Sequence, residues 1–232
     1  LAREKPEKAP HEIRLDQSDR KIPGVRIRPW KHQINAYWFA RTAWSCGNAG
    51  VLLAMDMGTG KTKVAIDLIC SMTLDPALVL CPKPVLPVWR QQFDLYAWNA
   101  NLYVTMDGTI DDRTHAIETF LGSTSGLRII IANYEMIDTH YHSFLDFIHR
   151  APWQIVICDE IHRIKMPAGK RSIALSRLSN HIPRRLGLTG TPLPHSPIDA
   201  YAQYRFLDKR IFGSSLVRFR SQYAVMGGYG NH

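Results

Sequence analysis

Two closely spaced glycines followed by a lysine and a threonine form the run of residues best suited to chemistry in this chain. The run follows an apolar segment at 50–53, typical of a buried strand, and precedes a helix-like apolar segment at 64–69. Glycine lets the backbone fold into a nest of N–H groups, and a helix start adds partial positive charge. Such a loop binds phosphate, with Lys61 reaching the β- and γ-phosphates and the Thr62 hydroxyl coordinating Mg²⁺. The residues concerned are Gly58, Thr59, Gly60, Lys61 and Thr62.

A plain helix cap is the alternative interpretation of this run. The strict phosphate-loop pattern also has glycine at position 55, where this chain has Met55. The strand-like segment before the loop and the helix-like segment after it favour phosphate binding, because a phosphate loop needs both.

A pair of carboxylates, Asp159 and Glu160, ends a second apolar run at 153–158. A carboxylate at the carboxyl end of a buried strand, beside a phosphate loop, is placed to hold the Mg²⁺ shell. The next carboxylate would orient or deprotonate the attacking water. Acidic residues at strand ends are also ordinary turn formers, but beside a phosphate loop the catalytic interpretation is favoured.

Alternating strand-like and helix-like segments surround these residues. This alternation predicts an α/β fold: a single domain with a mostly parallel sheet and helices on both faces. Continuous apolar runs such as residues 128–132 fit strands that are buried on both sides. Beyond residues 50–53, strands are predicted near 77–81, 102–106, 128–133, 153–159 and 184–189. Helices are predicted near 62–72, 85–97, 112–121, 134–149, 170–180 and 197–207.

Composition agrees with a nucleotide-binding domain that has a polyanionic partner. The 232 residues are 45% hydrophobic and carry a formal net charge of +9. No apolar run approaches the length of a membrane span, and the charged first residues do not resemble a secretory signal. The four cysteines lack metal-ligand spacing, and three of them lie in apolar segments. We therefore expect buried free thiols in a reducing compartment, which would be the cytoplasm, the nucleus or a nucleoid.

Several motifs in order resemble helicase superfamily two. Asp159–Glu160 with Ile161 and His162 is similar to its DExH signature, and residues 28–33 resemble its upstream glutamine motif. Residues 78–83, with Trp89 following, resemble motif Ia, and residues 188–192 resemble motif III. The phosphate loop, the run at 162–165 and the run at 188–192 together resemble the Swi/Snf-type ATPases, which translocate on duplex DNA. The resemblance covers residues 27–208, and it implies a RecA-like fold.

The resemblance also implies roles for single residues. The Gln33 amide, which both donates and accepts, would read the adenine edge. His162 would couple hydrolysis to motif III through Thr189 and Thr191; a plain core or capping histidine is the alternative. Apart from the resemblance, the helical spacing of the aromatics of 30–46 favours core packing for Trp30, with stacking on adenine as the alternative.

The sequence departs from the family pattern at a few positions. The family usually has glutamate at Asp56, leucine at Thr59, alanine at Ile161 and asparagine at His195. Asp56 and Thr59 flank the phosphate nest without replacing its donors, so nucleotide binding is still expected. The departure at His195 puts in doubt any contact that the family makes through that amide.

Nucleic acid is expected beyond the carboxyl ends of the strands, where ligands of open parallel sheets bind. Lys83, with the backbone amides after Pro82, would hold one DNA phosphate, and Asn133 would donate to another. A solvated loop charge is the alternative for Lys83. Arg163 and Lys165 would face nucleic acid or merely support the loop after the carboxylates.

The predicted organisation is a charged N-terminal arm at 1–26, a RecA-like lobe at 27–208 and a tail at 209–232. The tail is too short for the second RecA-like lobe that the resemblance implies, which supplies arginines to the γ-phosphate. We therefore interpret the chain as the first motor lobe of a larger, DNA-dependent ATPase that uses ATP and Mg²⁺. Alternatives are a lobe of a strand-separating DExH helicase or restriction-enzyme motor, or a non-catalytic ATP- or DNA-binding module.

Overall fold

Six parallel strands form one sheet at the centre of the protein. The computed structural model describes residues 16–97, 100–124, 126–192 and 198–223. Every neighbouring pair of strands is parallel, and the order across the sheet is β1-β6-β5-β2-β4-β3. The strands are β1 (Gly50–Ala54), β2 (Ala77–Cys81), β3 (Ala100–Met106), β4 (Leu127–Asn133), β5 (Ile155–Asp159) and β6 (Arg184–Thr189).

Helices cover both faces of this sheet, which confirms the predicted α/β fold. Short 3₁₀ turns follow β2 at Lys83–Val85 and β5 at Ile161–Ile164. The α-helices are α1 (Lys31–Ser45), α2 (Lys61–Met72), α3 (Leu86–Tyr96), α4 (Ile110–Gly122), α5 (Glu135–Thr139), α6 (Tyr141–His149), α7 (Lys170–Leu178), α8 (Ile198–Leu207), α9 (Lys209–Phe212) and α10 (Leu216–Tyr223).

Alternate residues of the strands enter two separate hydrophobic cores. In β2, Val79 packs with α1, α2 and α3 on one face, whereas Leu78 and Leu80 pack with α4 to α8 on the other. All three are fully buried. Because successive side chains of a strand point to opposite faces, a strand covered on both sides must be apolar throughout. This requirement explains the continuous apolar runs in the sequence.

The single helix predicted at 134–149 is wrong, since the structure has two helices there. The backbone leaves the helical conformation at His140, where φ is −131° and ψ is 44°. Just before the break, the Thr139 hydroxyl donates to the Glu135 carbonyl at 3.0 Å. A side chain that bonds back in this way tends to bend a helix. The residues on either side of the break, Ile137 and Phe144, then both reach the same core.

The described parts of the two terminal segments lie against the domain. Ile22 is buried, and the Arg20 guanidinium lies 3.5 Å from the centroid of the Trp38 ring on α1. At the other end, Phe219 of α10 is buried and packs its ring against Tyr201 of α8. In the described ranges, no helix is long and apolar enough to cross a membrane.

The end of α8 is fastened to the start of β1. A Cβ atom at Gly50 would collide with the backbone of Leu207, so only glycine allows the two elements to approach so closely. The next residue, Asp208, is buried and accepts a hydrogen bond from the Ala49 N–H at 3.3 Å. It also accepts from the Arg210 backbone N–H and guanidinium, at 3.0 Å and at 2.6–2.9 Å respectively. Although burial opposes the shift, these hydrogen bonds lower the pKa of Asp208 to about 2.

Asp208→Asn is expected to reduce the free energy of unfolding by about 1–2 kcal/mol at neutral pH. A carboxylate whose folded pKa is depressed stabilises the fold above its unfolded pKa. That contribution is lost as pH falls through the folded value. The difference between parent and variant should therefore be full at pH 6–7 and shrink between pH 4 and the pKa of about 2.

Urea unfolding at several pH values measures this difference. Asp138→Asn is the matched control, because Asp138 pairs with Arg171 on the surface, where a single ion pair contributes little. An Asp208→Asn variant as stable as the parent at pH 7 would contradict the assignment.

Candidate active site

The loop between β1 and α2 has the backbone that phosphate binding requires. Gly58 and Gly60 adopt left-handed conformations, with φ of 77° and 82°, which non-glycine residues rarely adopt. The Thr59 N–H and hydroxyl both bond to the Asp56 carbonyl, at 3.4 and 2.7 Å, which closes the turn. Lys61 is the first residue of α2, so the positive end of the helix faces the loop.

The Lys61 ammonium folds back over this loop. Its Nζ donates to the carbonyl oxygens of Met55 at 2.9 Å and Asp56 at 3.0 Å. The residue is 9% exposed. An ammonium has three donors, so one remains for a phosphate oxygen.

The start of α1 is hydrogen-bonded to the same loop. Gln33 Nε2 donates to the Thr59 carbonyl at 3.0 Å, and Gln33 Oε1 accepts from the Trp30 N–H at 3.0 Å. His32 Nε2 lies 2.9 Å from the same Thr59 oxygen. The structure therefore places the Gln33 amide against the phosphate loop, and adenine recognition by it stays a prediction. Packing of Trp30 in the core is wrong, because its side chain is 65% exposed.

Asp159 ends β5 and Glu160 follows it, as expected. Asp159 is 6% exposed, and its Oδ2 accepts from the Trp89 indole N–H at 2.8 Å. Its Oδ1 accepts from the Glu160 N–H at 3.0 Å. Burial raises the pKa of Asp159, while the Trp89 hydrogen bond and the positive charge of Lys61 act against that rise. The electrostatic effect of Lys61 is consistent with a lysine and a carboxylate that serve one site.

Glu160 lies in an unusual backbone conformation, with φ of +48°. Non-glycine residues with positive φ are uncommon, and they concentrate at functional sites. Its Oε2 is 3.2 Å from His162 Nδ1, which in turn lies 3.4 Å from the Thr189 hydroxyl. Burial lowers the pKa of His162, although the Glu160 charge acts in the opposite direction. His162 Nδ1 thus lies between the Glu160 carboxylate and the Thr189 hydroxyl at the end of β6.

The end of β6 joins the phosphate loop to the carboxylates. Thr189 is fully buried, and its carbonyl accepts from the Met55 N–H at 3.1 Å. Its hydroxyl accepts from the Thr191 N–H at 3.0 Å. β6 lies between β1 and β5. These contacts therefore bring all the predicted catalytic residues together at the carboxyl ends of the three strands. His195, where the sequence departs from the family pattern, lies outside the described residues.

The expected nucleic-acid residues lie at the carboxyl ends of the neighbouring strands β2 and β4. Lys83 is exposed, and its Nζ is 3.8 Å from Asp107 Oδ1, a distance that leaves the ammonium open to another anion. Asn133 is 6% exposed, and its Oδ1 accepts from the Met136 N–H at 3.1 Å, at the start of α5. Contact with DNA through Asn133 stays a prediction, and this helix-capping role does not favour it.

The oxygen ligands available here fit Mg²⁺ bound together with a nucleotide. In the described part of the chain, no group of three or more His, Cys, Asp and Glu residues could hold a metal alone. Mg²⁺ commonly takes one or two protein oxygens and completes its shell with phosphates and water. The Thr62 hydroxyl and the Asp159 carboxylate carry oxygens of the type that such a metal accepts.

Comparison with known proteins places this site in a family context. A family model described as the SNF2-related domain matches residues 27–226. The DNA repair and recombination protein RAD54B of Gallus gallus is 32% identical over 72% of this chain and 18% of its own length. The CHD3-type chromatin-remodeling factor CHR7 of Arabidopsis thaliana is 32% identical over 79% of the chain and 15% of its own. The chain thus spans less than a fifth of these relatives.

Solved structures agree with the sequence comparison. The SWI2/SNF2 ATPase core of Sulfolobus solfataricus, in complex with dsDNA, matches with a TM-score of 0.72 and 25% identity. The match covers 88% of this chain and 40% of the Sulfolobus chain. The residues that the family model matches, 27–226, include all the carboxyl-end residues described above.

Proposed function

Because the chain belongs to the SNF2-related family, we propose that it is the first motor lobe of an ATP-dependent translocase on duplex DNA. The family, the fold and the relation to chromatin remodelers and DNA repair proteins identify an SNF2-type ATPase motor domain. The finer proposal rests on one observation: the carboxyl ends of the strands bring together Lys61, Asp159, Glu160 and Thr189.

ATP binds with its phosphates in the loop 55–60. The backbone N–H groups around Gly58 and Gly60 donate to phosphate oxygens, and the Lys61 ammonium neutralises their charge. Gln33 holds the loop through Thr59 and, with its second N–H and second lone pair, meets the adenine edge. Mg²⁺, when bound through Thr62 and Asp159, supplies charge neutralisation at the transferring phosphoryl group.

Glu160 acts on the attacking water. Its carboxylate accepts a proton from a water placed in line with the γ-phosphate. His162 contacts that carboxylate from one side and also lies next to the Thr189 hydroxyl, so a movement of Glu160 would shift a neighbour of Thr189. A module that only binds ATP has no need of this carboxylate, which argues against the non-catalytic alternative.

The DNA backbone lies beyond the ends of β2 and β4, where Lys83 contributes a charge contact. The relatives support duplex DNA as the polymer, since the Sulfolobus ATPase core is in complex with dsDNA. A motor of this kind would work in the nucleus, in a nucleoid or in the cytoplasm. A strand-separating DExH helicase or a restriction-enzyme motor remains the second candidate, since its site would use the same residues.

Lys61→Ala is expected to weaken ATP binding about 10- to 150-fold while the fold is retained. The loss corresponds to one charge-assisted contact of roughly 1.5–3 kcal/mol. Calorimetric titration with ATP and Mg²⁺ measures it. Lys170→Ala, on the exposed start of α7, is the matched control. Unchanged ATP affinity in a folded Lys61→Ala protein would contradict the phosphate-loop assignment.

A further inference from the structure

We propose that Trp89 is a positioning residue for the Mg²⁺ site, because its indole N–H fixes the orientation of the Asp159 carboxylate. The inference rests on the proposed function, since Asp159 is taken to coordinate the metal. Trp89 lies on α3, and Asp159 ends β5, so the contact joins elements that are far apart in sequence.

Trp89 has one polar atom, and that atom is committed to Asp159. Its side chain is fully buried beneath α3 and packs its ring against Phe93 at a centroid distance of 5.8 Å. The Nε1–H donates to Asp159 Oδ2 at 2.8 Å. A buried indole N–H needs an acceptor, and a buried carboxylate needs donors, so this bond satisfies both groups.

Tyr134 holds the same residue from the opposite face of the sheet. Its hydroxyl donates to the Asp159 carbonyl oxygen at 2.8 Å. Trp89 belongs to the core formed with α1 to α3, whereas Tyr134 belongs to the core on the other side. Asp159 is thus fixed at its backbone from one side and at its carboxylate from the other.

The arrangement leaves room for the metal. Each carboxylate oxygen accepts one hydrogen bond, Oδ2 from Trp89 and Oδ1 from the Glu160 N–H. A carboxylate has about four acceptor sites, so one on each oxygen remains in a fixed direction. Partners behind a metal ligand orient it in this way, and their removal typically costs about 10- to 100-fold in metal affinity.

Trp89 also connects the proposed metal site to the segments after β2 and β4, where DNA is expected to bind. Helix α3 begins directly after the Lys83–Val85 turn, and Tyr134 directly follows β4. The two side chains that donate to Asp159 therefore come from segments that follow β2 and β4, the strands whose carboxyl ends are expected to face DNA. A shift of either segment would move a hydrogen bond on Asp159.

The test is how much Mg²⁺ improves ATP binding. ATP affinity is measured by calorimetry in EDTA and in saturating Mg²⁺, for the 232-residue chain and its variants. Trp89→Phe should reduce the Mg²⁺-dependent improvement about 10-fold and leave the EDTA affinity unchanged. Tyr134→Phe should act in the same direction by a smaller factor, since it loosens the backbone and not the carboxylate.

Trp153→Phe is the matched control. Trp153 is also buried and also donates through Nε1, at 2.8 Å, but to the Ile148 carbonyl. It should keep the full Mg²⁺ effect. If Trp89→Phe also kept the parent's Mg²⁺ effect, or lost affinity equally with and without Mg²⁺, the inference would be overturned. Should the parent itself show no Mg²⁺ effect, the proposed metal site fails as well.

A second measurement does not depend on any variant folding. In ¹⁵N-labelled parent protein with ATP, Mg²⁺ should shift the indole N–H resonance of Trp89 and leave that of Trp153 in place. An unmoved Trp89 resonance at saturating Mg²⁺ would contradict the proposal.

Discussion

Joined to a second RecA-like lobe, the chain is expected to hydrolyse ATP about 10³- to 10⁵-fold faster than residues 1–232 alone. In the proposed mechanism the γ-phosphate is clamped between two lobes, and this chain supplies Lys61, Thr62, Asp159 and Glu160 from one side. An arginine from the facing lobe stabilises charge on the transferring phosphoryl group, and an arginine finger of this kind accounts for such a factor.

The comparison uses steady-state phosphate release from the two proteins, with and without duplex DNA. Residues 1–232 should bind ATP, show little turnover and respond little to DNA, because one lobe neutralises only part of the DNA backbone. The two-lobe protein should be stimulated by DNA. Robust DNA-stimulated turnover by the 232-residue chain, absent from its Glu160→Gln variant, would overturn the two-lobe account.

The second large effect is expected from Glu160→Gln in a protein with both lobes. The glutamine keeps the size of the side chain and should keep ATP affinity. Its amide accepts no proton from water, so hydrolysis should fall by roughly 10²- to 10⁴-fold. Single-turnover hydrolysis with bound ATP separates this loss from any change in binding.

Glu135→Gln is the control for that experiment. Glu135 is a partly exposed carboxylate at the start of α5 that lies 3.8 Å from Arg171, and it has no proposed role in hydrolysis. Its replacement should leave turnover close to the parent rate. Near-normal turnover by Glu160→Gln would mean that another residue activates the water.

The sheet and the glycine turn between β1 and α2 were predictable because each has a local signal. A strand buried on both faces has to be apolar along its length, as in residues 129–132 of β4. The phosphate loop requires glycine at 58 and 60, since both have positive φ. These constraints act within a few residues, so a single sequence records them.

Other features of the structure have no unambiguous local signal. The bond between Trp89 and Asp159 joins residues 70 positions apart, and nothing in either segment identifies the partner. Asn133 reads equally well as a phosphate contact or as the cap that the structure shows. The break at His140 depends on how α5 and α6 both reach the core, which periodicity alone does not reveal.

The position of β6 has a consequence for how the protein is made. Within the described sheet, β1 pairs with β6, the last of the six described strands to be synthesised. A ribosome needs about 10 s for the roughly 130 residues between Ala54 and Arg184. Until then β1 has no partner strand, and the loop that follows it lacks the Thr189 carbonyl that holds Met55. The nucleotide site is therefore expected to become competent only at the end of folding, after the other four strands have already assembled.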